Sequence, residues 1–267
     1  MYGATRRSET SSSTMTAAEL PKASPIASFC PTGLFTTTPY RCNSPVIDPA
    51  RSAELYHAGR ERMAAAVQDL SAEDLDRQVP ACPQWSVQDL IAHLAGVAAD
   101  FAAGNVVGAP HPPWTAAQVA RRQNLPIAEV LAEWETAGAA LEAVIVGGTT
   151  SHPLVCNPYV DAAVHEADLH GAIGSGRPPA ELWLAALDWM LDEPGPLTVI
   201  TPDGTYSAGS DEPEATVRTS SYELFRAIFG RRSKAQIEKW DWDDPEHARA
   251  WTPAPAWFPQ TSVSLND

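Results

Sequence analysis

The segment ACPQWSVQDLIAHLAGVAADF, residues 81–101, constrains the fold of this chain more than any other. Pro83 precedes an N-cap Ser86 with Asp89 three residues on, and Leu90, Ile91, Leu94 and Val97 then recur at helical spacing. Both the start of a helix and its apolar face are therefore written locally. The same helix carries His93 between Ala92 and Leu94. A histidine there is either a core-edge side chain hydrogen-bonded to backbone or a metal ligand aimed between helices.

Three further segments share the helical period. Leu55, Met63, Val67 and Leu70 give one apolar stripe from Asp48 onward, and after a Pro-rich loop around GAPHPPW a second runs from Ile127 to Val146 with Val130, Leu131, Trp134, Leu141 and Val144 inward. Gly147 and Gly148 stop that helix, and YVDAAVHEADLHGAI follows Pro158 as a fourth, ended by Gly174. Four helices over residues 47–193 predict a bundle. From Pro194 the pattern changes to LTVIT, a DG turn, TYSAG and EATVRTS, read as strands, then an amphipathic helix SYELFRAIFG that Gly230 ends. GRRSKAQI next reads as a basic patch before an irregular Trp- and Pro-rich tail. The fold class is thus α+β, a helical bundle followed by a small mixed α/β domain over residues 194–267. Residues 1–46, dominated by Ser, Thr and Pro, read as a disordered extension.

Composition narrows the partners. Eighteen Lys and Arg stand against 33 Asp and Glu, a formal charge of -15, whose field repels phosphate backbones and anionic membranes. Cys30, Cys42, Cys82 and Cys156 show no C-x-x-C spacing, so a reducing, cytoplasmic location is expected rather than a disulfide framework. No apolar run in the sequence approaches the roughly 20 residues a membrane helix needs. No sustained heptad marks an interface, which leaves monomer and homodimer equally open.

A catalytic divalent cation takes about three protein ligands and an open position. Asp161 and His165 are four apart, one above the other on a helix face, and His93 can supply a third ligand. Asp168 continues the Asp161 stripe, either as a fourth ligand or as a carboxylate orienting an imidazole. Glu166 and His170 have the same spacing but point roughly a hundred degrees away. Spacing does not choose between the pairs, and an exposed helix face carries such pairs without any metal.

PQWSVQDLIAHLAG resembles the start of the DinB-like, mycothiol-dependent maleylpyruvate isomerase family, whose motif pairs a Trp-Ser/Thr cap with a following His ligand. VHEADLHGAIG resembles that family's V-H-x-x-D-L-x-x-A-x-G segment, and TSSYELFRAIFGRRSKAQI its small C-terminal domain. The resemblance extends over about Asp48 to Pro245. It implies His93, Asp161 and His165 as metal ligands, with Asp161 standing where the family carries Glu, and a divalent cation, zinc by default. It implies mycothiol as the thiol whose sulfur the metal activates, and a small electrophilic substrate that is isomerised or thiol-transferred. Arg231 is the expected catalytic cation, a guanidinium fork able to clamp a substrate carboxylate, with Arg226 and Arg232 beside it. A metal-dependent hydrolase using Asp168 or Glu166 as base, and a non-catalytic metal-binding protein, are the alternative readings. Trp85 and Trp134 are candidate pocket walls, and Cys156 reads as an inert packed residue.

Overall fold

The structure, a computed structural model, describes residues 48–147, 158–191, 197–208, 215–251 and 260–267, all within one compact unit. Helix α1 (Pro49–Val67) starts with Asp48 accepting from the Ala50 amide, and α2 (Ala72–Leu75) is a single turn. A short hairpin of β1 (Gln78–Val79) and β2 (Cys82–Ser86) then feeds α3 (Val87–Ala102). The expected capping box is present: Asp89 N donates to Ser86 Oγ at 3.1 Å and Ser86 N to Asp89 Oδ2 at 3.0 Å. Helix α4 (Pro112–Arg122) begins inside GAPHPPW, the segment expected to be a Pro-rich loop. Pro112 and Pro113 occupy its first turn, where a missing N–H costs nothing, so the prolines begin a helix instead of preventing one.

Helices α5 (Ile127–Gly147) and α6 (Pro158–Ile173) complete the main layer. α3 packs on α5, α5 on α1, α1 on α6 and α6 on α3, closing a ring round Met63, Leu90, Ile91, Leu94, Trp134 and Leu141. Burying such side chains stabilises the fold by roughly 1.5–3 kcal/mol each. Leu70, Leu131 and Val144 lie only partly buried at the edge, and Ile145 takes the inward position. Gly174, at φ 71°, ends α6 as anticipated, donating to the His170 carbonyl.

The second layer opens with α7 (Ala180–Met190), a helix the sequence reading passed over. Strands β3 (Leu197–Ile200) and β4 (Thr205–Ala208) form the expected antiparallel hairpin, and β5 (Ala215–Arg218) runs parallel to β3. Helix α8 (Ser221–Ile228) packs on α7, followed by α9 (Lys234–Ile237), β6 (Asp241–Trp242) and α10 (Pro245–Ala250). The sheet order is β4-β3-β5-β6, and the class is α+β as expected. Arg231 and Arg232 do not form a surface patch: they are 8 % and 1 % exposed and turn inward onto Asp168, Glu223 and Asp267. No helix among the described residues is long and apolar enough to cross a membrane. The expected extension, Cys30, Cys42, Cys156 and Gly148 lie outside the described residues.

Candidate metal centre

Helix α3 presents His93 and α6 presents Asp161 and His165 to one point between the two helices. His93 Nε2 lies 3.5 Å from Asp161 Oδ2 and His165 Nε2 lies 3.5 Å from Asp161 Oδ1. One ligand atom from each of the three falls within 4.8 Å of the others. Contacts of 3.5 Å are long for hydrogen bonds, and Asp161 Oδ2 is buried without a hydrogen-bond partner. They suit atoms sharing one ion, since ligands at about 2.05 Å in a tetrahedron are about 3.3 Å apart. The donor set fits a divalent cation. Asp161 is 31 % exposed against 3 % for His93 and 8 % for His165, so the cluster opens on the carboxylate side.

Both imidazoles are held from behind. His165 Nδ1 bonds Asp168 Oδ2 at 3.1 Å, and His93 Nδ1 bonds Gln118 Oε1 at 2.9 Å. Each bond occupies Nδ1 and leaves Nε2 turned toward Asp161. Trp85, on β2, stands against both rings at 4.7 Å and 5.7 Å between centroids, and the two imidazoles meet edge-on at 5.1 Å. Trp134 instead lies in the core and donates to the Tyr56 hydroxyl at 3.0 Å.

Charge organises the α6 side. Burial works against a charged His165, but Asp161 and the bond to Asp168 push it up to about 10. Burial likewise opposes the carboxylate of Asp161, and His165 and His93 outweigh it, holding the group below its ordinary value. Asp168 sits well below the usual carboxylate range because Arg231 and Arg226 overcome its burial. Arg226 Nη1 reaches Asp168 Oδ1 at 2.8 Å and Arg231 Nη2 reaches Oδ2 at 2.7 Å. The same field that favours a proton on His165 favours a divalent cation there, so the two compete for the site.

The structure therefore brings His93, Asp161 and His165 together and sets Asp168 behind His165. Arg231 lies in the row behind the histidines, against Asp168 and 3.6 Å from Cys82 Sγ. The Glu166 and His170 pair is not joined: Arg62 grips Glu166 through Nε at 2.6 Å and Nη2 at 2.8 Å, and His170 bonds the Ser175 hydroxyl. Two neighbours escaped the sequence reading. Cys82 Sγ is 3.6 Å from Asp168 Oδ2 and forms a second close group with His165 and Asp168. Gln118 was hidden in the unread α4, where the Pro-Pro start was the available signal.

Residues 56–170 match the model of the mycothiol maleylpyruvate isomerase N-terminal domain, a span that holds Trp85, His93, Asp161 and His165 and ends at His170. No curated protein matches the chain. Among solved structures, a mycothiol-dependent maleylpyruvate isomerase is 17 % identical, with TM-score 0.47, covering 69 % of this chain and 90 % of its own. A histidine-to-alanine mutant of mycothiol-dependent maleylpyruvate isomerase is 16 % identical with TM-score 0.48 and the same coverage.

Proposed function

From the match of residues 56–170 to the model of the mycothiol maleylpyruvate isomerase N-terminal domain, we propose that this protein belongs to that family and is a metal-binding, mycothiol-dependent enzyme. It acts as an isomerase or thiol S-transferase on a small electrophilic substrate. The observation that carries the metal site is the convergence of His93, Asp161 and His165 on one point, with His93 Nε2 facing Asp161 Oδ2, a buried oxygen without a hydrogen-bond partner, and His165 Nε2 facing Oδ1. A divalent cation held there, zinc by default, supplies Lewis acidity that favours thiolate over thiol near neutral pH.

The chain's own residues do the rest. His93 and Asp161 hold the cation between α3 and α6, and His165 adds a ligand whose orientation Asp168 keeps. Arg231 acts as a positioning residue: it fixes Asp168, and its charge lowers Asp161 as well. Trp85 covers the two imidazoles and limits water on that side. The expected role of Arg231 as the cation that clamps a substrate carboxylate is the lesser reading, because Asp168 and the Phe229 carbonyl already take its Nε, Nη1 and Nη2.

Elemental analysis of protein purified without chelator tests the reading, comparing wild type with His93→Ala, His165→Ala and His170→Ala. About one metal per chain, lost with His93 or His165 and retained without His170, is expected. Metal absent after reconstitution, or dependent on His170 alone, overturns the ligand set. A rate that needs added mycothiol supports the enzyme; turnover without thiol points to a hydrolase, and no turnover to a metal-holding protein.

A further inference from the structure

Gln118 is fully buried, and its amide spans two groups: Oε1 faces His93 Nδ1 at 2.9 Å and Nε2 faces Asp100 Oδ2 at 3.0 Å. A carboxylate only accepts hydrogen bonds, so the NH₂ end of the amide has to face Asp100. The carbonyl end is then fixed toward His93, and an acceptor at that place requires the imidazole to carry its hydrogen on Nδ1. The lone pair of the neutral ring is thereby left on Nε2, the atom 3.5 Å from Asp161. Asp100 is itself immobilised, taking Asn105 Nδ2 at 2.9 Å and Arg121 Nη2 at 2.8 Å.

The approach of α4 to α3 that makes this possible depends on Gly96. A Cβ there would lie 2.4 Å from Gln118 Cβ and 2.9 Å from Arg122 Nη1, distances that side chains do not tolerate. Arg122 pins the helix further, donating to the Gln118 carbonyl at 3.0 Å and pairing with Glu133 on α5. We propose that Asp100, which touches no metal ligand, sets the metal-facing nitrogen of His93 by orienting the Gln118 amide, and that α4 serves to deliver this arm. The proposal rests on the cation reading of the His93 site.

The test titrates the chelator-stripped full chain with Zn²⁺ and Co²⁺ against a chelating indicator, with denaturant unfolding of every variant as the folding control. Gln118→Leu and Asp100→Ala are each expected to weaken both metals roughly tenfold. The double variant Asp100→Ala/Gln118→Leu should bind no more weakly than Gln118→Leu alone, because Asp100 acts through Gln118. Asp100→Asn/Gln118→Glu reverses donor and acceptor while preserving an acceptor on His93; the half-exposed Arg121, which shares Oδ2 of Asp100, turns to solvent, and binding should be restored. A merely structural role would not be rescued by that exchange. Wild-type affinity in Asp100→Ala, or losses that multiply in the double variant, overturns the proposal. Wild type that binds neither metal overturns the cation reading first, and the two failures are thereby distinct.

Discussion

The two histidines of the candidate centre are held in opposite ways. His165 leans on Asp168, a buried carboxylate shared with Arg226 and Arg231, whereas His93 leans on Gln118, a neutral amide delivered by a short helix. On the α6 side orientation comes from a dense set of buried charges that also ties the bundle to the segment after β5. On the α3 side it comes from a hydrogen bond whose direction is set by one carboxylate further out. Orientation and overall stability should therefore be coupled at His165 and separable at His93.

Asp168→Ala should break that coupling most visibly. It leaves two buried guanidinium groups without their shared carboxylate, and removing one partner of a buried ionic network costs about 3–5 kcal/mol. Denaturant unfolding of the metal-free variant is the measurement; a loss under about 1 kcal/mol would mean that Asp267 already neutralises Arg226 and that Arg231 turns to another partner. pH gives the next effect. His165 is raised in the fold from 6.5 to about 10, so its contribution is fully present below about 6.5 and is lost as pH rises through about 10. The melting midpoint of chelated protein should fall across that window, and zinc-loaded protein should show a flatter profile. An unchanged slope in His165→Gln would assign the dependence to other groups.

Much of this centre was legible because it is local. The Ser86 and Asp89 cap, the four-residue step from Asp161 to His165, and the stops at Gly174 and Gly230 are each fixed within a few residues, although choosing that step over Glu166 and His170, and joining it to His93, takes the family resemblance and not the period. The outer row was not legible. Gln118 is 25 residues from His93, and Arg231 is 63 from Asp168; nothing in a helical period encodes which distant side chains will meet. The Pro-Pro pair that starts α4 suits a loop as well as a first helical turn, so the arm it carries is not marked in the sequence. GRRSKAQI looked basic because its neutralising partners, Asp168, Glu223 and Asp267, are brought to it only by the fold.

Gly96→Ala probes the α3 side without removing a polar group. The added methyl meets Gln118 Cβ at 2.4 Å and its Cγ at 2.7 Å, so α4 has to move. Overpacking of this kind costs typically about 1–3 kcal/mol, less than Asp168→Ala. The comparison predicts a loss of metal affinity approaching the tenfold of Gln118→Leu beside that modest loss of stability; equal affinity in chelator competition would show that His93 needs no outer partner.

Arg218→Ala is the smallest expected change and calibrates the others. Arg218 and Asp241 pair across β5 and β6 at 3.8 Å, with side chains 57 % and 73 % exposed. Such pairs are screened by solvent and worth about 0–1 kcal/mol. The substitution removes a guanidinium from the same sheet that leads into α8, yet leaves Arg226 and Arg231 on Asp168. Stability within about 0.5 kcal/mol of wild type, with unchanged metal content, is expected. A loss approaching that of Asp168→Ala would show that charge in this layer matters by its amount and not by its burial, and the contrast drawn between the two histidines would then rest on the wrong property.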